Sequence, residues 1–106
     1  MSDRLYNRQG EPIGMSEWSE LFALKEYKRV RQTTLPDGTW ISTVWLGLDH
    51  SYSDDGPPLI FETMVFAKDG RSDLDSNRYS TEAEAIAGHA AMVAQWSNAK
   101  GDDATL

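Results

Sequence analysis

Cysteine is absent from this 106-residue chain, and histidine occurs only twice. The lack of thiols excludes disulfides, thiolate metal sites and cysteine nucleophiles. No apolar run approaches the roughly 20 residues that a membrane-spanning helix needs, and the N-terminal MSDRLYNRQG contains no apolar signal-peptide core. We therefore expect a cytoplasmic protein that does not bind membranes.

Positive charge is also scarce, since 10 Lys and Arg stand against 17 Asp and Glu and the net charge is −7. Binding to nucleic acid depends mainly on neutralising phosphates with Lys and Arg, so we expect no direct contact with nucleic acid. The HExxH, P-loop and GxSxG sequences are missing as well. We expect no cofactor, and a non-enzymatic role is favoured over catalysis.

Two apolar runs dominate what is present. TWISTVWLGL and PPLIFETMVFA lie within residues 39–67 and are separated by the polar connection DHSYSDDG. With a hydrophobic fraction of 40%, the chain can build one hydrophobic core. The composition predicts a single domain over residues 1–98 and a polar, flexible tail over residues 99–106.

Local patterns predict the elements in chain order. They are a hook with a turn over 1–14, a short helix over 16–24, strands over 26–34, 40–48 and 59–67, a loop over 68–77, and a helix that ends near Asn98. Thr81 and Glu84 have the spacing of a capping box at the start of that last helix. The predicted fold class is α+β: a small antiparallel meander of three or four strands, with the C-terminal helix on one face and a short N-terminal helix closing one end.

Alternation along the central strand gives the sheet two apolar faces. Trp40 and Val44 share one face, and Ile41, Thr43 and Trp45 share the other. One C-terminal helix can cover only one of them, so the other must be covered by residues 1–24, by a second protomer or by a partner protein. Aromatic and arginine side chains are common interface anchors, and the candidates are Tyr27, Arg29, Arg31 and Trp45.

Four polar residues could form a chemical site. His50 follows Asp49 at the end of the central strand, Glu62 interrupts an apolar strand, and His89 lies on the apolar side of the last helix. If these four converge, they could hold a divalent metal or act as an acid–base pair. The alternative is structural: His89 is a core residue, and Glu62 pairs across the sheet with one of the arginines, which are Arg29, Arg31 and Arg78.

Several sequence blocks together carry a resemblance. YNRQGEPI, EWSELF, STVWLGLDH, PPLIFETMVF and RYSTEAEAIAGH resemble a family of small uncharacterised proteins encoded by bacteriophages and prophage-bearing bacteria, especially actinobacterial ones. The resemblance extends to about Gln95. It implies an accessory phage protein in the cytoplasm of an infected or lysogenic bacterium, and it implies no catalytic residue.

Three functions follow as alternatives. The first is a non-enzymatic interaction protein that binds a host or phage protein, or a second copy of itself, through an open sheet face. The second is a small metal-dependent or acid–base enzyme that uses His50, His89, Asp49 and Glu62. The third is a sequestering protein for a small anionic ligand, with donors from Arg29, Arg31 or Arg78.

Overall fold

A computed structural model of the chain describes residues 4–49 and 56–105, with side chains described up to residue 97. The elements are α1 (Met15–Phe22), α2 (Lys25–Lys28), β1 (Arg29–Thr34), β2 (Trp40–Trp45), β3 (Phe61–Phe66), β4 (Asp73–Tyr79) and α3 (Glu82–Thr105). The strands form one sheet in the order β1-β2-β3-β4, and every neighbouring pair is antiparallel. The predicted α+β meander with a C-terminal helix and a short N-terminal helix is confirmed. Among the described residues, no helix is both long and apolar enough to cross a membrane.

The N-terminal segment forms the predicted hook. Tyr6 and Pro12 pair as an isolated antiparallel bridge that closes it. Between them, the side-chain oxygen of Asn7 accepts hydrogen bonds from two backbone N–H groups, and Gly10 has a φ of 84°. A side chain at Gly10 would be strained in this left-handed conformation, so the turn at 7–10 depends on glycine there.

The strand predicted over 26–34 begins later than expected. Residues 25–28 form the single helical turn α2, whose last N–H, that of Lys28, donates to the carbonyl of Leu24 at 3.1 Å. This turn directs Tyr27 onto Trp45, where the two rings meet edge to face with centroids 4.9 Å apart. Alternation in the sequence therefore marks a strand only from Arg29 onward, and a register shift follows that residue.

The loop predicted over 68–77 is wrong in its second half, because residues 73–77 belong to the edge strand β4. This strand pairs with β3 throughout, with Ser76 opposite Met64 and Arg78 opposite Glu62. Most of its side chains are exposed. Its backbone pairing defines the strand, and no apolar alternation reveals it in the sequence.

The capping box at the start of α3 is confirmed. The Thr81 hydroxyl accepts from the backbone N–H of Glu84 at 3.1 Å, and the Glu84 carboxylate accepts from the backbone N–H of Thr81 at 3.2 Å. The helix continues to Thr105 instead of ending near Asn98. Proline is absent from this stretch, and Gly101 costs a helix only about 1 kcal/mol, too little to end it.

The core consists of two clusters on one side of the sheet. The first contains Leu35, Ile41, Val65 and Met92; the second contains Trp45, Ile60, Phe61 and Ala85, with Tyr6, Trp18, Leu21, Phe22 and Tyr27 packed around them. Both clusters include residues of α3, and the second also holds α1 and α2. The described N-terminal segment therefore packs around Trp45 on the same side as α3 and does not fold over the other face.

Candidate functional site

The side of the sheet away from α3 is the candidate site. Strand alternation places Trp40, Ser42 and Val44 of β2 there, opposite Phe66, Met64 and Glu62 of β3. We call this surface the open face, and the opposite surface the helix side. In the described part of the chain, neither core cluster extends onto the open face, and α2 borders it at one edge.

An aromatic pair lies at one end of the open face. The rings of Trp40 and Phe66, direct neighbours across β2 and β3, stack with centroids 5.0 Å apart and planes 29° from parallel. The Trp40 indole N–H donates to the side-chain oxygen of Gln32 at 3.1 Å, which fixes the orientation of the ring. Trp40 keeps 38% of its surface exposed. The pair is a rigid apolar platform of the kind that anchors protein interfaces.

A cross-strand ion pair lies farther along the open face. Arg78 Nε is 3.3 Å from Glu62 Oε2, and the two residues face each other in register on β4 and β3. The predicted pairing of Glu62 with an arginine is confirmed, and Arg78 is the partner. Since the carboxylate of Glu62 is engaged by this partner, it is not poised as an isolated general base.

The opposite border of the open face is positively charged. Lys25 and Lys28 of α2 and Arg29 of β1 line a shallow groove of about 250 Å³ together with Trp40, Ser42 and Val44. We call it the basic groove. Lys28 Nζ lies 4.2 Å from the ring centroid of Phe22, so its ammonium makes a cation–π contact with that ring.

The helix side carries a buried polar network centred on His89. Its Nε2 is 2.7 Å from the Thr33 hydroxyl, its Nδ1 is 2.7 Å from the Thr43 hydroxyl, and Thr43 is 2.5 Å from the Thr63 hydroxyl. His89 is only 2% exposed. Burial, and secondarily the positive charge of Arg31, lowers the pKa of His89, which favours a neutral ring with one N–H donor and one acceptor nitrogen.

This geometry separates the residues proposed for chemistry. His89 lies on the helix side and Glu62 on the open face, so the sheet stands between them. Asp49 is paired with Arg4, and its Oδ1 accepts from the backbone N–H of Leu59 at 2.9 Å. His50 lies outside the described residues. Among the described residues, no three His, Asp or Glu side chains are placed to share a metal ion, so His89, Glu62 and Asp49 do not come together as that site would require.

The four predicted interface anchors are divided between the two sides of the sheet. Trp45 has no exposed surface, and its indole N–H donates to the carbonyl of Tyr6 at 3.0 Å, so it is a core residue and not a surface anchor. Tyr27 is half-buried against Trp45. Arg29 lines the basic groove, whereas Arg31 pairs with Thr43 and belongs to the helix side.

Sequence reasoning missed the site residues Phe66, Lys25 and Lys28. Phe66 could have been found, because antiparallel pairing of two runs of similar length places it beside Trp40. Lys25 and Lys28 could not have been found, because only the single helical turn of α2 places them beside the open face. The three predicted arginines also fail to converge on one anion, because Arg78 is paired on β4 while Arg29 and Arg31 lie on opposite sides of β1.

Comparison of the chain with protein-family models, with curated proteins and with solved structures finds no match.

Proposed function

We propose that this chain is a non-enzymatic interaction protein that binds a protein partner through the open face. The observation that carries the proposal is the stacked pair of exposed Trp40 and half-buried Phe66, on a sheet surface that neither core cluster covers in the described part of the chain. Exposed apolar patches on small proteins commonly mark interaction sites, and tryptophan is enriched among the residues that contribute most to binding.

The size of the open face indicates the kind of interface. Four strands about 4.8 Å apart and about six residues long span a flat area of about 400 Å². A standard interface covers about 800 Å² on each partner. The open face with its bordering groove therefore fits a small, reversible contact, or the central part of a larger one. Following the resemblance described above, the proposed partner is a host or phage protein in the cytoplasm of an infected bacterium.

Site-specific photo-crosslinking tests the proposal. A benzophenone side chain replaces Met64 at the middle of the open face, and in a matched control it replaces Ala90, which is exposed on α3. Both proteins are irradiated in a lysate of an actinobacterial host. We expect a discrete adduct from the Met64 position and a much weaker one from Ala90. Adding Trp40→Ser should weaken the adduct from the Met64 position.

The mass of the adduct distinguishes a second copy of this chain from a different partner protein. An adduct of twice the chain mass indicates self-association through the open face, and any other discrete mass indicates a heterologous partner. Equal labelling from Met64 and Ala90, or labelling that Trp40→Ser leaves unchanged, would show that the open face is not the interaction surface.

A further inference from the structure

Positive charge is unevenly distributed in this acidic protein. Among the described residues, salt bridges engage three arginines, which are Arg4, Arg8 and Arg78. The three cations of the basic groove, Lys25, Lys28 and Arg29, form no salt bridge with any described carboxylate. A local cluster of unneutralised positive charge on a chain of net charge −7 is the complement of a negatively charged ligand.

The basic groove also has an apolar end. Trp40 lies at the start of β2, and Val44, which pairs with Arg29, lies four residues further on the same face. At a rise of about 3.3 Å per residue, the indole and the base of Arg29 are about 13 Å apart along the strand. An extended peptide spans this distance with about four residues.

From this arrangement we infer that the basic groove binds an acidic, extended segment of the partner protein. Its carboxylates lie against Lys25, Lys28 and Arg29, and an apolar side chain about four positions away packs on Trp40. The inference rests on the proposed function of the open face and adds the chemistry of the partner. Charge-assisted hydrogen bonds between these cations and carboxylates supply the specificity.

A nucleic acid also combines negative charge with flat rings, but the acidic surface disfavours it. Each nucleotide carries a phosphate, so a strand crossing the open face meets the repulsion of the whole chain. A short acidic segment concentrates its charge in a few positions beside the groove.

A defined peptide serves as the probe, used with the full-length protein. It is fluorescein-labelled and carries a phenylalanine four positions from a Glu-Asp-Glu run; a second peptide replaces that run with Gln-Asn-Gln. Binding is followed by fluorescence anisotropy. We expect the acidic peptide to bind at least tenfold more tightly than the amide peptide, because three cations each contribute a modest ion-pair term.

Matched charge variants locate the site. Lys25→Ala with Arg29→Ala removes two cations from the groove, and Lys68→Ala with Arg71→Ala removes two exposed cations outside it. We expect the groove variant to bind the acidic peptide about tenfold more weakly, and the control variant to bind within twofold of the parent protein. Equal affinity of the two variants, no binding of the acidic peptide, or tighter binding of a labelled oligothymidylate would overturn the inference.

The crosslinking experiment keeps this inference separate from the proposed function. If the Met64 crosslinker still labels a partner specifically while the acidic peptide fails, only the acidic character of the segment is wrong. If specific labelling from Met64 is absent as well, the open face itself is not a docking surface.

Discussion

Replacing Thr43 by valine tests whether the buried hydroxyl network stabilises the fold. Thr43 is fully buried, and its hydroxyl contacts both His89 Nδ1 and the Thr63 hydroxyl. Valine has nearly the same shape, so Thr43→Val removes the two hydrogen bonds while leaving the packing of the helix side almost unchanged.

The expected cost follows from these contacts. Each lost hydrogen bond contributes about 1 kcal/mol, and stranding the buried partner groups of His89 and Thr63 adds about 1 kcal/mol more. The methyl group that replaces the hydroxyl returns about 0.8 kcal/mol through burial of apolar surface. We expect the free energy of unfolding to fall by about 2 kcal/mol, which lowers the midpoint of thermal unfolding by about 8 °C.

Urea unfolding monitored by circular dichroism measures the change. Thr34→Val is the matched control: Thr34 is exposed on β1, so its replacement should change the free energy of unfolding by less than about 0.5 kcal/mol. In a double-mutant cycle, Thr63→Val should cost less in the Thr43→Val background, because the stranded hydroxyl is then removed. A Thr43→Val protein as stable as the Thr34→Val control would refute the reasoning.

Three further perturbations test other contacts. The pKa of His89 is lowered in the folded chain and returns to its ordinary value of about 6.5 on unfolding, so below about pH 6.5 the unfolded chain binds more protons at this group. The free energy of unfolding should therefore fall as the pH decreases from 6.5, and His89 contributes at most about 1.4 kcal/mol per pH unit to this fall. The fall should be less steep in His89→Asn. Arg8→Ala should lower the free energy of unfolding in urea by about 1–2 kcal/mol, because Arg8 donates to both carboxylate oxygens of Glu82 at 2.9 and 2.5 Å. Adding Glu82→Ala should lower it little further, and additive losses would contradict this pairing. Gly88→Ala should destabilise by about 1–3 kcal/mol, since the new Cβ would lie 2.2 Å from the Tyr79 ring, and a gain in stability from the higher helix propensity of alanine would show that the ring moves freely.

Local patterns were sufficient for most of the fold. The start of α3 was predictable because Thr81 and Glu84 recognise each other within one turn, and β2 and β3 were predictable because their apolar residues are adjacent in sequence. β4 was not predictable, because most of its side chains are polar and show no apolar alternation. Its strand conformation depends on backbone pairing with β3, which only the folded structure reveals. The end of α3 is not evident from composition, because its last residues are polar and yet include no proline that would end a helix.

The candidate site was harder to predict, because alternation defines two faces of β2 without indicating which one the helix covers. Which face the helix covers depends on how the side chains of α3 pack against strands that are distant in the sequence. His89 of α3 finds hydroxyl partners in Thr33 and Thr43, and Thr43 is on the face of Trp45 and not on that of Trp40. Trp45 is therefore a core residue, and Trp40 takes the exposed role that the sequence analysis assigned to Trp45.

The order of elements along the chain also determines what the ribosome exposes. All four strands precede α3, and at about 5–20 residues per second the 24 residues of that helix take about 1–5 s to synthesise. Hairpins form in about 1–10 μs, so the hairpin of β1 and β2 can form before the covering helix is complete. During that interval the part of the helix side that α3 covers is bare, whereas α1 and α2 are already made and can pack around Trp45. The hydroxyls of Thr43 and Thr63 at the centre of the helix side make this uncovered surface more polar. A nascent chain therefore aggregates less with its neighbours on the same polysome.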